Sequence, residues 1–167
     1  NTKLISLIND QIKIYDFEIK WGIQTATDDK DGEILNISQN IPSKKNIEGS
    51  LKSFIGDILQ KPPKVSAVKV DGKRAYQRFR NNENFEIKER LVRVYKLKFI
   101  DQPHQTISKI RVECGKGFYV RSFARDLAEK LNTKAHIYSL KRVKVGNFNE
   151  NNSILLDDLL KMSEMAF

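Results

Sequence analysis

Along residues 14–23 apolar and polar positions alternate: Tyr15, Phe17, Ile19 and Trp21 fall on one parity, Asp16, Glu18 and Lys20 on the other. A period of two with one wet face predicts a half-buried strand. The polar stretch that follows ends in Asp31-Gly32, a pair with turn chemistry, and leads into a short strand over 33–37. Beyond Pro42 and Ser43, Ile47, Leu51, Phe54, Ile55, Ile58 and Leu59 recur at helical spacing up to Pro62-Pro63, which predicts one helix across that run. Residues 65–70 read as a strand, Asp71-Gly72 as a turn and 75–80 as a short basic helix. In 85–100, Leu91, Arg93, Tyr95, Leu97 and Phe99 share a parity against Val92 and Val94, a strand signal. Ser108, Ile110, Val112 and Cys114 alternate with Lys109, Arg111 and Glu113, which predicts another strand with one solvated face.

After Gly115 and Gly117 the period changes. Val120, Phe123, Ala124, Leu127 and Leu131 form one apolar stripe of a helix, with Arg125–Glu129 and Asp126–Lys130 spaced to pair on its polar side. A strand over 135–145 and a short helix over 154–162 complete the pattern, with no internal repeat and no low-complexity tract. Strands and helices mix without regular βαβ alternation. The expected fold is therefore α+β: a mixed, mostly antiparallel sheet flanked by helices.

Composition narrows the class. The 167 residues are 40% hydrophobic and 31% charged, enough to bury one core and against a disordered chain. No apolar run approaches the roughly 20 residues of a membrane span, so a soluble, cytoplasmic protein is expected. A single cysteine, Cys114, excludes an internal disulfide framework, and two distant histidines, His104 and His136, give no metal-ligand spacing, so no metal is expected. Cys114 lies on the apolar parity of its strand and reads as a buried thiol rather than a nucleophile.

Thirty Lys and Arg against 21 Asp and Glu give a net charge of +9. The excess is segregated. Between residues 61 and 80 stand Lys61, Lys64, Lys69, Lys73, Arg74, Arg78 and Arg80 with one acid, Asp71, whereas Asp28, Asp29, Asp31 and Glu33 cluster just upstream. That distribution points to a polyanion, chiefly nucleic acid. P-loop, dinucleotide, zincin and α/β-hydrolase motifs are all missing. The stretch 116–123 is similar to an RNA-recognition RNP1 segment, but it lacks the small residue after the aromatic and leads into a helix.

Four segments, in order, resemble the bacterial tRNA pseudouridine synthase B family. Lys13, Tyr15 and Gly22 are similar to the family's K-x-Y strand, with Thr25, Thr27, Asp29 and Gly32 as its T-x-T-x-D-x-x-G stretch. Gln60, Pro62, Pro63, Ser66, Ala67, Lys69, Gly72, Tyr76 and Arg80 follow Q-x-P-P-x-Y-S-A-x-K-x-x-G-x-x-x-Y-x-x-A-R. Cys114 to Ser122 and Asp126-Leu127 resemble C-S-K-G-T-Y-I-R-T followed by D-L, and Ala135, His136, Leu140 and Arg142 resemble A-H-x-x-x-L-R-R. Val65, Phe79 and Lys141 depart from the pattern.

The resemblance implies an isomerase that converts uridine 55 in the tRNA T arm to pseudouridine without a cofactor, with tRNA as partner and a monomer as the expected state. It implies that Arg121 holds the catalytic aspartate and that Tyr15 stacks on the target base. Tyr119 and Leu140 would line the pocket, while Lys64, Lys69, Lys73, Arg74 and Arg142 would meet phosphate. The family's catalytic aspartate lies in an H-x-G-T-L-D-P segment ahead of the K-x-Y strand, and no such segment occurs here. The chain begins at Asn1 and has methionine only at 162 and 165. It is thus expected to be a partial catalytic domain over residues 1–167, lacking both that segment and the small C-terminal RNA-binding domain, and inactive alone. The alternative is a non-catalytic RNA-binding module on the same scaffold.

Overall fold

A computed structural model describes residues 11–164. Its centre is β1 (Lys13–Trp21), the strand whose alternation is cleanest, with Phe17, Ile19 and Trp21 fully buried. β1 pairs antiparallel with β8 (Ile107–Cys114) on one side and β9 (Ala135–Val145) on the other. Six strands form the main sheet in the order β10–β9–β1–β8–β7–β4, with every strand pairing antiparallel. β7 is Arg90–His104, β4 is Gly56–Gln60 and β10 is Phe148–Asn149. The α+β expectation holds.

β8 and β9 both run opposite to β1, so they are parallel to one another, and the helix that joins them crosses over β1. This crossover helix, α3 (Val120–Lys130), buries Val120, Phe123, Ala124 and Leu127, the stripe predicted for it. Phe123 meets Phe17 edge-on at 5.8 Å and Phe54 at 5.2 Å between ring centroids. The predicted Arg125–Glu129 and Asp126–Lys130 pairs do not form; Arg125 turns instead to Asp28 and to its neighbour Asp126. A buried carboxylate across the chain is a stronger partner than an exposed one on the same helix.

The single helix expected up to Pro62 is corrected. α1 (Lys44–Leu51), capped by Ser43, buries Ile47 and Leu51, and a 3-10 turn over Lys52–Phe54 ends it. Gly56, at φ +105°, leaves the helical region, and β4 pairs with β7 as an edge strand. There Leu59 is exposed and Gln60 buried, a period of two that the short apolar run had disguised.

The strand expected over 65–70 shrinks to β5 (Lys69–Val70), paired with β6 (Lys73–Arg74) through the predicted Asp71-Gly72 turn, both residues at positive φ. The stretch before β5 gives its carbonyls to α2 (Ala75–Arg80) instead: Tyr76 N donates to Ser66 O and Ala75 N to Val68 O. Phe85 and Ile87, expected in the next strand, precede β7 and pack with Val68, Ala75 and Tyr119 in a second small cluster. A bulge between Val94 and Lys96 reverses the parity of β7. Val92 and Val94 are buried before it, Leu97 and Phe99 pack on the core after it, and Leu91 and Tyr95 are exposed.

The strand expected over 33–37 forms as β3 (Ile34–Ile37) and pairs with β2 (Ile23–Thr25), a short strand the sequence reading did not separate from the first. The terminal helix α4 (Leu156–Glu164) falls two residues beyond its predicted place. Among the described residues no helix is long and apolar enough to cross a membrane.

Candidate active site

Sheet register assembles the first part of the site. Tyr15 lies opposite Arg142 and Phe17 opposite Leu140 across β1 and β9, so Tyr15, Leu140 and Arg142 share the face over which α3 crosses. Tyr15 is half-buried and Leu140 is 51% exposed, an uncovered leucine beside a core phenylalanine. Burial, reinforced by the nearby Cys114, pushes the Tyr15 phenol above its ordinary range; a hydrogen bond from Arg142 opposes that shift without cancelling it. The hydroxyl is therefore protonated at neutral pH.

Cys114, fully buried on β8, has its thiol pushed up to about 12, chiefly by burial. It is no nucleophile. We expect no reaction with a disulfide reagent at pH 8 in the folded protein and one equivalent after unfolding in urea; rapid labelling of the native state would contradict this burial.

α3 brings the second part. Arg121 sits in its first turn, where Nη1 donates to Thr27 O at 3.0 Å and pairs with Asp29 Oδ2 at 3.1 Å, while Nη2 donates to Val65 O at 2.8 Å. Asp29 is fixed in turn by the Thr27 hydroxyl at 2.5 Å and by Asp31 N at 3.2 Å. Arg121 thus joins two stretches of chain, residues 27–29 and the run after Pro63. None of its hydrogen bonds reaches Tyr15.

Below it, Arg125 pairs with Asp28, whose carboxyl burial pushes above the usual carboxylate range against the opposing pull of Arg125 and Arg121. Asp28, Arg125, Lys61, Lys64, Gln24 and Phe79 are among the lining of an open cavity of about 1030 Å³.

The remaining predicted residues lie apart from Tyr15. Tyr119 precedes α3; its N–H donates to the buried Gln60 Oε1 at 2.8 Å and its ring packs on the second cluster. Lys69 and Arg74 face each other across the β5–β6 hairpin. Lys73 approaches Glu83 at 3.7 Å, Arg78 is bound by the same Glu83 at 2.8 Å, and Lys61 meets Glu86. The basic run is accordingly part neutralised; Lys64, Lys69, Arg74 and Arg80 form no ion pair with the described residues. Sequence reasoning gave Asp28, Arg125 and Gln60 no role in the site, although Asp28 stood in the acidic cluster, Arg125 in a helical pair and Gln60 in a family motif. The sequence signals for this network were separate motifs, with Thr27 and Asp29 in the T-x-T-x-D stretch, Gln60 in Q-x-P-P and Arg121 in the segment before the helix, and none of them named a partner.

A crossover helix lies over a mostly antiparallel sheet, with an arginine in its first turn and a tyrosine on the central strand. Residues 1–120 match the TruB family pseudouridylate synthase N-terminal domain and residues 121–166 the tRNA pseudouridylate synthase B C-terminal domain, so the chain belongs to the TruB family. Among its relatives, tRNA pseudouridine synthase B of Caulobacter vibrioides is 42% identical over 165 residues, covering 99% of this chain and 53% of that protein. Its counterpart in Wolbachia pipientis is 42% identical over 168 residues, covering 99% and 47%. The chain spans about half the length of these curated relatives. A Cbf5-Nop10-Gar1 complex contains a chain alike in fold, with a TM-score of 0.71 at 22% identity over 98% of this chain and 40% of that one. An H/ACA RNP bound to a substrate RNA containing 2'-deoxyuridine gives 0.67 at 18% identity, over 99% and 40%.

Proposed function

We propose that this chain is part of the catalytic domain of a tRNA pseudouridine synthase that isomerises uridine 55 in the T arm. Family membership supports the reaction class, and one observation carries the site: Arg121, in the first turn of the helix that packs on the sheet through Phe123 and Phe17, is held through both terminal guanidinium nitrogens by residues 27–29 and Val65. The N1–C1′ bond of the uridine breaks, the base turns, C5 bonds to C1′, the C5 proton leaves and N1 takes up a proton. The product is an isomer, so no oxidant or cofactor enters the balance.

Each residue has a part. The target nucleotide must leave its stack, which costs a few kcal/mol that a pocket returns by stacking and apolar contact. The half-buried Tyr15 ring and the uncovered Leu140 side chain offer that surface. The catalytic carboxylate comes from the H-x-G-T-L-D-P segment that precedes the K-x-Y strand in the family. Arg121, permanently charged and planar, keeps that carboxylate ionised and aimed. Lys64, Lys69, Lys73, Arg74 and Arg142 meet phosphate and set affinity rather than sequence choice. The enzyme acts as a monomer in the cytoplasm.

The test uses a T-arm hairpin carrying tritium at C5 of its uridines. The full-length protein should release tritium from position 55 alone, and the 167-residue chain should release none. Release by the 167-residue chain would place the carboxylate within it. Hairpin binding by the full-length protein without any release would instead establish a non-catalytic RNA-binding module.

A further inference from the structure

Arg121 and Arg125 stand one helical turn apart on α3 and grip the same two stretches of chain. Arg121 holds Thr27 O, Asp29 and Val65 O. Arg125 holds Asp28 Oδ2 through Nη1 at 3.1 Å, Lys61 O through Nη2 at 2.7 Å and Asp126 through Nε at 3.1 Å. The two guanidinium groups form the rungs of a ladder whose rails are residues 27–29 and 61–65.

The loop explains how adjacent aspartates reach different rungs. Asp28 has φ +60°, its N–H donates to Thr25 O at 3.3 Å, and its carbonyl accepts from Ile137 N at 3.0 Å at the edge of β9. That left-handed residue reverses the direction of the chain between two side chains, sending Asp28 to Arg125 and Asp29 to Arg121. The lower rung is the more enclosed: Asp28 is 8% exposed. A buried ion pair lost on one side leaves the other charge uncompensated, so the pair constrains geometry strongly whatever its net contribution to stability.

We propose that Asp28 and Arg125 are positioning residues for Arg121. Their ion pair fixes the path of residues 27–29, and the path of those residues determines where Thr27 O and Asp29 hold the Arg121 guanidinium. Neither touches the substrate; both act through Arg121. The proposal rests on the catalytic reading of Arg121 given above.

Asp28→Asn is the direct test, because asparagine tolerates a positive φ and keeps the shape while removing the charge. In the full-length enzyme, single-turnover rates should fall about 10- to 100-fold, the size expected of a displaced catalytic group, with tRNA affinity unchanged. Introduced into an Arg121→Lys background, Asp28→Asn should cause no further fall, since both changes then act through one group. Arg125→Lys, which keeps the charge but cannot fork between Asp28 and Lys61 O, should lose rate to an intermediate degree and provides the test should Asp28→Asn fold poorly.

A parental rate in Asp28→Asn, or in Arg125→Lys where that variant stands in, would overturn the proposal. So would losses that multiply with those of Arg121→Lys, the pattern of a merely structural brace. A parent protein that binds the T arm but never isomerises uridine would overturn the functional reading first and the positioning role with it.

Discussion

Arg121→Ala in the full-length enzyme is expected to lower turnover by about 10³-fold or more, near 4 kcal/mol of transition-state stabilisation, with tRNA affinity nearly intact. The expectation follows from the kind of group lost. Arg121 is one cation among 30 basic residues, so its share of phosphate attraction is small. Its place in the site cannot be shared. Alanine leaves Asp29 without its arginine, Thr27 O and Val65 O without their donor, and the incoming carboxylate without a partner. A carboxylate on an apolar sheet face and without a cation has its pKa raised, and it reacts less readily as it becomes protonated. Single-turnover tritium release and equilibrium binding separate the two quantities. Equal losses in both would show that Arg121 holds RNA rather than the catalytic carboxylate.

The largest effect on stability is expected at Phe123. It is fully buried on α3 between Arg121 and Arg125 and touches Phe17, Phe54 and Phe118. Those rings bring β1, the turn after α1 and the loop before α3 to one point. Phe123→Ala removes a buried ring and leaves a cavity that three aromatic neighbours cannot fill together, at a cost of about 3–5 kcal/mol. Against a typical domain stability of roughly 5–15 kcal/mol, that is a large share. Thermal unfolding followed by circular dichroism should shift down by about 10 °C, and Phe123→Leu by much less. A shift of only a degree or two for the alanine variant would mean that the helix is not held through this cluster.

These two residues also show how differently fold and site can be read from a sequence. Phe123 lies on a stripe of helical period, and its burial follows from that period alone. The alternation of β1 and β8 and the Asp71-Gly72 turn were legible for the same reason: one dominant local signal with nothing competing. The run from Ile47 to Leu59 misled because its apolar spacing fits a helix, while Gly56 and pairing with β7 make its second half a strand. The β7 bulge inverted a parity that was otherwise read from the residues themselves.

Arg121, Thr27 and Asp29 were found through motifs, but their pairing was not. Arg125 looked like one half of an exposed helical pair with Glu129. Polar positions carry no period that names their partners, and Asp29 and Asp28 stand 92 and 97 residues from the arginines they bind.

The sequence alone determined the scaffold and its family resemblance, because local propensity, apolar period and ordered motifs are properties of neighbouring residues. Tertiary structure decided which carboxylate meets which guanidinium, that Tyr15 faces Arg142, and where the basic hairpin is neutralised. Those contacts depend on strand register and on the path of a loop across the sheet, and both are settled only when distant parts of the chain pack together.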